Sequence, residues 1–213
     1  DGISMAQVAE GALDETTNAL QRMRELAIQA ANSTYNSGDR ANLNDEIYQM
    51  LAEVQRVSED AEFNDQKLLN GSYITKKFHV GADANQTITL SILAASTIAL
   101  GINSGTLESF GTAVGDASAQ SVANKMISLV DSALDSVSDI RADLGAIQGR
   151  FESIINSLSN VVENTDAARS RIQDADIAQE TANLTRFSIL QQAGVAVLAQ
   201  ANQQPQIALL LLA

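Results

Sequence analysis

The stretch from Ser121 to Val162 constrains this chain most strongly. Its apolar residues Ile127, Val130, Leu134, Val137, Ile140, Leu144, Ile147, Phe151, Ile154, Leu158 and Val161 recur in steps of three and four, with Ser, Asp, Asn, Ala, Gln and Arg between them. That is the spacing of a helical seam. At ~1.5 Å per residue the seam runs roughly 50 Å, longer than the helix of an ordinary globular domain needs to be. A lone helix leaves such a seam in water, so partner helices must cover it. The expectation is a rod. The run Leu134, Val137, Ile140 holds two threes in succession, which would locally overwind a long coiled coil.

The candidates for that cover lie at the start of the chain. From Met5, the positions Met5, Val8, Ala12, Ala19, Met23, Leu26 and Ala30 repeat the step, with Thr16 in the gap, and predict a helix ending near residues 31 to 34. Tyr35 to Asp39 breaks it, with Gly38 free to turn and Ser37 or Asp39 placed to cap a second helix. That helix is expected to run to about Asp60, its stripe Leu43, Ile47, Met50 or Leu51, Val54 and Val57, opposite a solvated face of Arg40, Asn44, Asp45, Glu53 and Arg56. The short connection makes the two helices antiparallel neighbours. Phe63 to Gly71 reads as irregular, with turn signals at Asn64-Asp65 and Asn70-Gly71. Alternation in Tyr73 to Val80 and again through Ile88, Leu90 and Ile92, around the loop Gly81 to Gln86, predicts a β-hairpin that must lie against the helices. Residues 94 to 120 are rich in Ala, Ser, Thr and Gly, and their conformation is left open between a surface excursion, partly disordered, and a segment with one short helix. Beyond Val162 a narrower apolar stripe, padded by alanines, continues through Ile172, Ile177, Leu184, Phe187, Leu190, Val197 and Leu198 until Pro205, which is expected to stop the helix near Asn202. The tail from Ile207 to Leu212 is almost wholly apolar and expects burial by another chain.

Composition narrows the partners. Aromatic residues make up 4% of the chain, Trp is absent and Pro occurs once, which suits thin helical bundles better than a thick core. A net charge of -13 opposes a nucleic-acid partner or an anionic membrane, both of which demand a basic face. Cys is absent, so disulfides and thiolate metal sites are excluded. His79 is the only histidine and reads as a plain strand residue, so a zinc site of the His-Glu-x-x-His kind cannot be assembled. Carboxylate pairs such as Glu59-Asp60 are accounted for by helix solvation. No enzyme, cofactor or metal centre is indicated. Asp1-Gly2-Ile3-Ser4 begins without Met and inside the helical pattern, which predicts that further residues once preceded it.

Several longer motifs carry a family resemblance. Gln21-Arg22-Met23-Arg24-Glu25-Leu26-Ala27-Ile28-Gln29-Ala30-Ala31-Asn32 resembles the QR-RELA-QAAN signature of bacterial flagellins. Phe63 to Gly71 is similar to their FN-xx-LLNG loop, and Phe78 to Ile88 to their F-x-VGA-x-A-x-x-x-I hairpin. Ala168 to Asp176 and Gln191 to Asn202 resemble the R-x-RI-x-DAD and ILQQAG-x-x-VLAQANQ stretches of their C-terminus. The resemblance implies a small, mainly α protein: an elongated helical bundle or coiled-coil rod with a small β-hairpin on its flank. It divides the chain into an N-terminal part of the rod (1–71), the hairpin (72–93), a variable excursion (94–120), the long rod helix (121–168) and a terminal-helix, filament-core segment (169–213).

The same resemblance implies a secreted, extracellular subunit of the bacterial flagellum that self-assembles into its filament for motility. The family helix that precedes the DGIS motif is absent, which leads to the expectation of a trimmed chain that does not polymerise. Its C-terminal helix would then be frayed or covered, with the flagellar export chaperone as the natural cover. Ile177, Leu184, Phe187, Leu190, Val197, Leu198, Leu209, Leu211 and Leu212 are the implied chaperone and filament-core contacts. Arg22, Leu26 and Glu46 match positions by which the vertebrate innate receptor detects flagellins; read from the residues alone, Arg22 and Glu46 are solvated rod residues and Leu26 packs in the bundle. Two rivals remain open: a flagellin-like extracellular surface binding module, which should use more than eight Phe and Tyr, and a hook-filament junction protein on a related rod.

Overall fold

The computed structural model describes residues 1–105, 116–173 and 176–212, with side chains omitted at 116 and 204–212. The chain divides into two compact units, Asp1–Leu158 and Ser159–Ala213. In the first, α1 (Gly2–Ala30) and α2 (Ser37–Asp60) run antiparallel, and α3 (Asp116–Gln173) contributes its N-terminal part. Polar contacts fix α3 antiparallel to α1: Gln120 to Ser33 at 2.9 Å, Arg24 to Asp131 at 2.6 Å, and Arg141 to Glu10 at 2.8 Å and Asp14 at 2.9 Å. Each such exposed pair is worth under about 1 kcal/mol, so their combined effect is register rather than stability.

The seam of α3 is real, but it runs through different residues than its largest side chains suggest. Met126, Val130, Ala133, Val137, Ile140 and Leu144 are buried in alternating steps of four and three, while Leu134 is only partly buried. Ala133 takes the place expected of Leu134, and the two successive threes vanish. On α1 the buried line is Met5, Ala9, Leu13, Thr16, Leu20, Met23 and Ala27, which leaves Val8 exposed and Ala12 and Ala19 at its edge. Small residues at Ala6, Ala9, Ala27 and Ala30 let neighbouring backbone approach closely. Toward the start of α1 the cover runs out. Phe151 is the last buried residue of α3, and the ring lies so near Gly2 that a Cβ there would stand 2.8 Å from it. Leu158 and Val161 are exposed.

The turn between α1 and α2 is held by side chains that the sequence pattern assigns to water. Asn36, not Ser37 or Asp39, is the N-cap of α2; its side chain accepts from the Asp39 N–H, and the Asp39 carboxylate accepts from the Asn36 N–H, a reciprocal capping box. Gly38 lies inside the helix. Arg40 and Asn44 are buried rather than solvated. Arg40 donates to the carbonyls of Ala30 and Asn32, both at 3.2 Å, and so satisfies acceptors that the end of α1 leaves open. Arg40→Met should therefore cost about 2–3 kcal/mol, the loss of hydrogen bonds from a charged donor plus stranded carbonyls. All three Tyr lie in the first unit, so tyrosine fluorescence in a urea titration reads this loss directly. A change below about 0.5 kcal/mol would mean that water replaces the guanidinium.

After α2 the chain makes two hairpins. In place of an irregular segment, β1 (Glu62–Phe63) pairs with β2 (Gln66–Lys67) across a turn in which Asn64 and Asp65 both have positive φ, 50° and 59°. That is the tight I′ geometry Asn and Asp tolerate. Leu68 and Leu69 then plug the core, with the Leu68 N–H donating to Ala61 and the Ser58 hydroxyl to the Leu69 carbonyl. β3 (Lys76–His79) and β4 (Thr87–Leu90) form the antiparallel hairpin that the alternation predicts, with Phe78 opposite Ile88. Phe78 meets Phe151 edge to face at 5.5 Å, which seats the hairpin on α3.

The beginning of the Ala-, Ser-, Thr- and Gly-rich segment is folded. Ala95 donates to Leu69, and the Thr97 hydroxyl to the Gln55 side chain at 2.7 Å. A short turn closes with Gly101 at φ 74°, Gly101 bonding to Ile98 and Ile102 to Thr97, the paired bonds of a Schellman motif. Residues 106–115 of that segment lie outside the described residues. In the second unit, α4 (Ile177–Leu212) starts at Asp176, whose carboxylate accepts from the N–H groups of Ala178 and Gln179 at 3.0 and 3.2 Å. α4 continues through Pro205 instead of ending near Asn202. Proline removes one backbone donor, and the Ala-, Gln- and Leu-rich residues around it are strong helix formers that carry the helix past it.

Candidate functional site

Two surfaces gather the residues singled out by the sequence. The first is a charged cluster across the pair α1 and α2. Arg22 projects from α1 between Glu25, one turn on, and Glu46 of α2, and both nitrogens Nε and Nη2 donate to the same Glu46 oxygen at 2.9 and 2.7 Å. Nη1 reaches Glu25 at 3.1 Å. The hydrogen bond that Arg22 donates to Glu46, and after it the one to Glu25, holds the guanidinium pKa above the ordinary arginine value. The cluster is solvent-exposed, so it is a presented pattern of charge rather than a buried lock. Leu26 stands one turn from Arg22 but is only 1% exposed. It packs in the core beneath the cluster and offers the solvent nothing.

The second surface is α4 itself. Ile177, Leu184, Phe187, Leu190, Val197 and Leu198 are each between 60% and 74% exposed. Leu209, Leu211 and Leu212 fall in α4, but their side chains lie outside those described. Ile189 and Val195 are equally bare; at ~100° per residue Val195 lies on the line of Ile177, and Ile189 alone falls off the stripe. At ~100° per residue the eight described side chains cover an arc of about 240°, so the apolar surface is a wrap and not the narrower stripe expected. A single partner helix covers one stripe. A wrap of this breadth needs neighbours on several sides.

Neither surface has the chemistry of an active site. Among the described residues no three His, Asp or Glu side chains gather where they could hold a metal ion. His79 sits exposed on β3. Among the described residues no helix is long and apolar enough to cross a membrane.

Comparison with known proteins accounts for these features together. The family pattern described as the bacterial flagellin N-terminal helical region matches residues 1–74, and the one described as the bacterial flagellin C-terminal helical region matches residues 127–212. The chain is 44% identical over 212 residues to a flagellin of Halalkalibacterium halodurans, covering 100% of this chain and 75% of that one. It is 38% identical over 227 residues to a flagellar filament 33 kDa core protein of Treponema phagedenis, covering 100% of this chain and 76% of the relative. Among solved structures, the crystal structure of Bacillus cereus flagellin superposes with a TM-score of 0.62 at 26% identity, over 79% of this chain and 92% of that one. With both helical regions matched and similarity running the whole length, the chain belongs to the bacterial flagellin family.

Proposed function

We propose that this chain is the self-assembling subunit of the flagellar filament, a secreted structural protein that works outside the cell. The observation that carries the reading is the apolar wrap of α4, six of whose sequence-predicted side chains are 60% to 74% exposed. Side chains of this size are each worth about 1.5–3 kcal/mol when buried, and only neighbours on several sides can collect that from one helix. A packed array of copies supplies such neighbours. Electron microscopy of the full-length protein under polymerising conditions tests it: long filaments support the reading, capped or non-growing oligomers point to a junction protein, and monomers to a surface binding module. The same wrap suits a flagellar export chaperone before assembly, since any cover that keeps α4 from water also keeps copies apart.

The exposed cluster supports a second role, detection by a host innate flagellin receptor. Arg22 and Glu46 present one shared pattern of hydrogen-bond donors and acceptors, and Leu26 supports it from below. Arg22→Ala and Glu46→Ala should each reduce receptor signalling by roughly tenfold, the loss typical of a central interface residue, while Leu26→Ala acts only through the fold. An unchanged response to both surface variants removes this role.

A further inference from the structure

The turn after the Leu68 and Leu69 plug carries chemistry that neither surface uses. Of the asparagines in the sequence, Asn70 alone is followed by glycine. The fold requires that glycine: Gly71 has φ 85°, and a Cβ added to it would stand 3.1 Å from the Cβ of Ala94. The side chain that is missing so that the backbone can pass Ala94 is also missing from the path between the Asn70 amide and the Gly71 nitrogen. Asn70 is exposed, so water and hydroxide reach it.

Hydrogen bonds arrange the amide for attack. Asn70 Oδ1 accepts from the Ser72 N–H at 2.9 Å and from the Ser72 hydroxyl at 2.6 Å; the same hydroxyl stands farther from its other acceptor, the Lys67 carbonyl, at 3.4 Å. The bond from the Ser72 N–H closes an Asx turn. The ring so closed contains Asn70 Cγ and the Gly71 nitrogen, which keeps the amide carbon curled toward that nitrogen. Both donors meet Oδ1, the atom where negative charge collects when a nucleophile adds to Cγ. No backbone carbonyl among the described residues accepts from the Gly71 N–H, so base can take its proton.

We propose that Asn70 and Gly71 form a spontaneous deamidation site, by which the joint between the helices and the second hairpin ages. Hydroxide removes the Gly71 amide proton, the nitrogen adds to Asn70 Cγ, and the Cγ–Nδ2 bond breaks as Nδ2 takes up a proton and leaves as ammonia. Water then opens the cyclic imide. Cleavage of the new N–Cγ bond leaves aspartate, whereas cleavage between the nitrogen and the Asn70 main-chain carbon leaves isoaspartate, its backbone rerouted through Cβ and Cγ. Either way one water is consumed, one ammonia is released, and a neutral amide becomes a carboxylate. The aspartate product can still accept both bonds from Ser72. Isoaspartate instead lengthens the backbone between Leu69 and Tyr73, which are both buried and whose carbonyls accept from Ala95 and Ile92. Between two fixed points the extra length has no room, so this product loosens the joint.

The test ages the protein in mildly alkaline buffer, native and in urea, and maps it by proteolysis and mass spectrometry that separates asparagine, aspartate and isoaspartate at each position. In the native protein Asn70 should convert before any other asparagine, at a rate that rises in proportion to hydroxide. Ser72→Ala should slow the native conversion about fivefold, the worth of one ordinary hydrogen bond to the developing charge, and leave the rate in urea unchanged. Ser72→Thr, which keeps a hydroxyl, should restore it. The isolated isoaspartate fraction should unfold at lower urea than fresh protein, while Asn70→Asp unfolds where the wild type does. Conversion in urea without conversion in the native protein overturns the proposal, since the turn then shields the amide. Equal native rates for wild type and Ser72→Ala overturn the part assigned to Ser72, and an isoaspartate fraction as stable as fresh protein overturns the loosening.

Discussion

Phe151→Ala is expected to lower the stability of the first unit by about 3–5 kcal/mol, the range for removing a buried aromatic side chain. Three elements converge on this ring. α3 supplies it, β3 leans Phe78 against it edge to face at 5.5 Å, and α1 begins so close that a Cβ at Gly2 would stand 2.8 Å away. Truncation leaves a void bordered by three elements that the register contacts of α1 and α3 hold apart, so collapse can refill little of it. Tyr35, Tyr48 and Tyr73 all lie within Asp1–Leu158, so tyrosine fluorescence in urea reports this unit without interference from α4. Phe78→Ala closes a double-mutant cycle in which the edge-to-face pair should show a coupling of about 0.5–1.5 kcal/mol. A loss below about 1 kcal/mol for Phe151→Ala, with strict additivity in the cycle, would mean that the hairpin is not seated through this ring.

Features of this fold differ in how visibly the sequence encodes them. Long helices announce themselves by periodicity, and α1, α2 and α3 appear where steps of three and four recur. The face of a helix is encoded less sharply. Ala12 and Ala19 each stand beside a larger residue that is the buried one, Leu13 and Leu20, and Ala133 displaces Leu134; with many alanines available, several lines satisfy the same spacing and only packing chooses among them. Charge and amide groups ordinarily mark a solvated face, yet Arg40 is buried to serve carbonyls of α1, whose need arises only when the two helices meet. The pair β1 and β2 is invisible to a periodic pattern because strands of two residues are too short for any alternation to register; their turn residues are visible. At the charged cluster, the motifs supply Arg22 and Glu46 separately. Their joining across 24 residues is a product of the antiparallel pairing.

The largest effect on assembly is expected from α4. Phe187→Asp and Leu190→Asp, each made in the full-length protein, should abolish filament growth seen by electron microscopy while leaving tyrosine-detected unfolding of the first unit unchanged. The two readouts separate because the side chains, 66% and 60% exposed in this chain, contribute no core contact that an aspartate could remove. In a filament the same positions would be covered, and an ionised carboxylate held in apolar surroundings without a partner costs several kcal/mol at every copy. Aspartate also weakens a helix interior, but by under about 0.7 kcal/mol, too little to melt a helix that runs from Ile177 to Leu212. Phe187→Leu keeps the surface apolar and should grow, which distinguishes loss of contact from loss of a particular ring. Should both aspartate variants grow as the wild type does, the apolar wrap plays no part in joining the copies, and the filament reading loses the observation on which it stands.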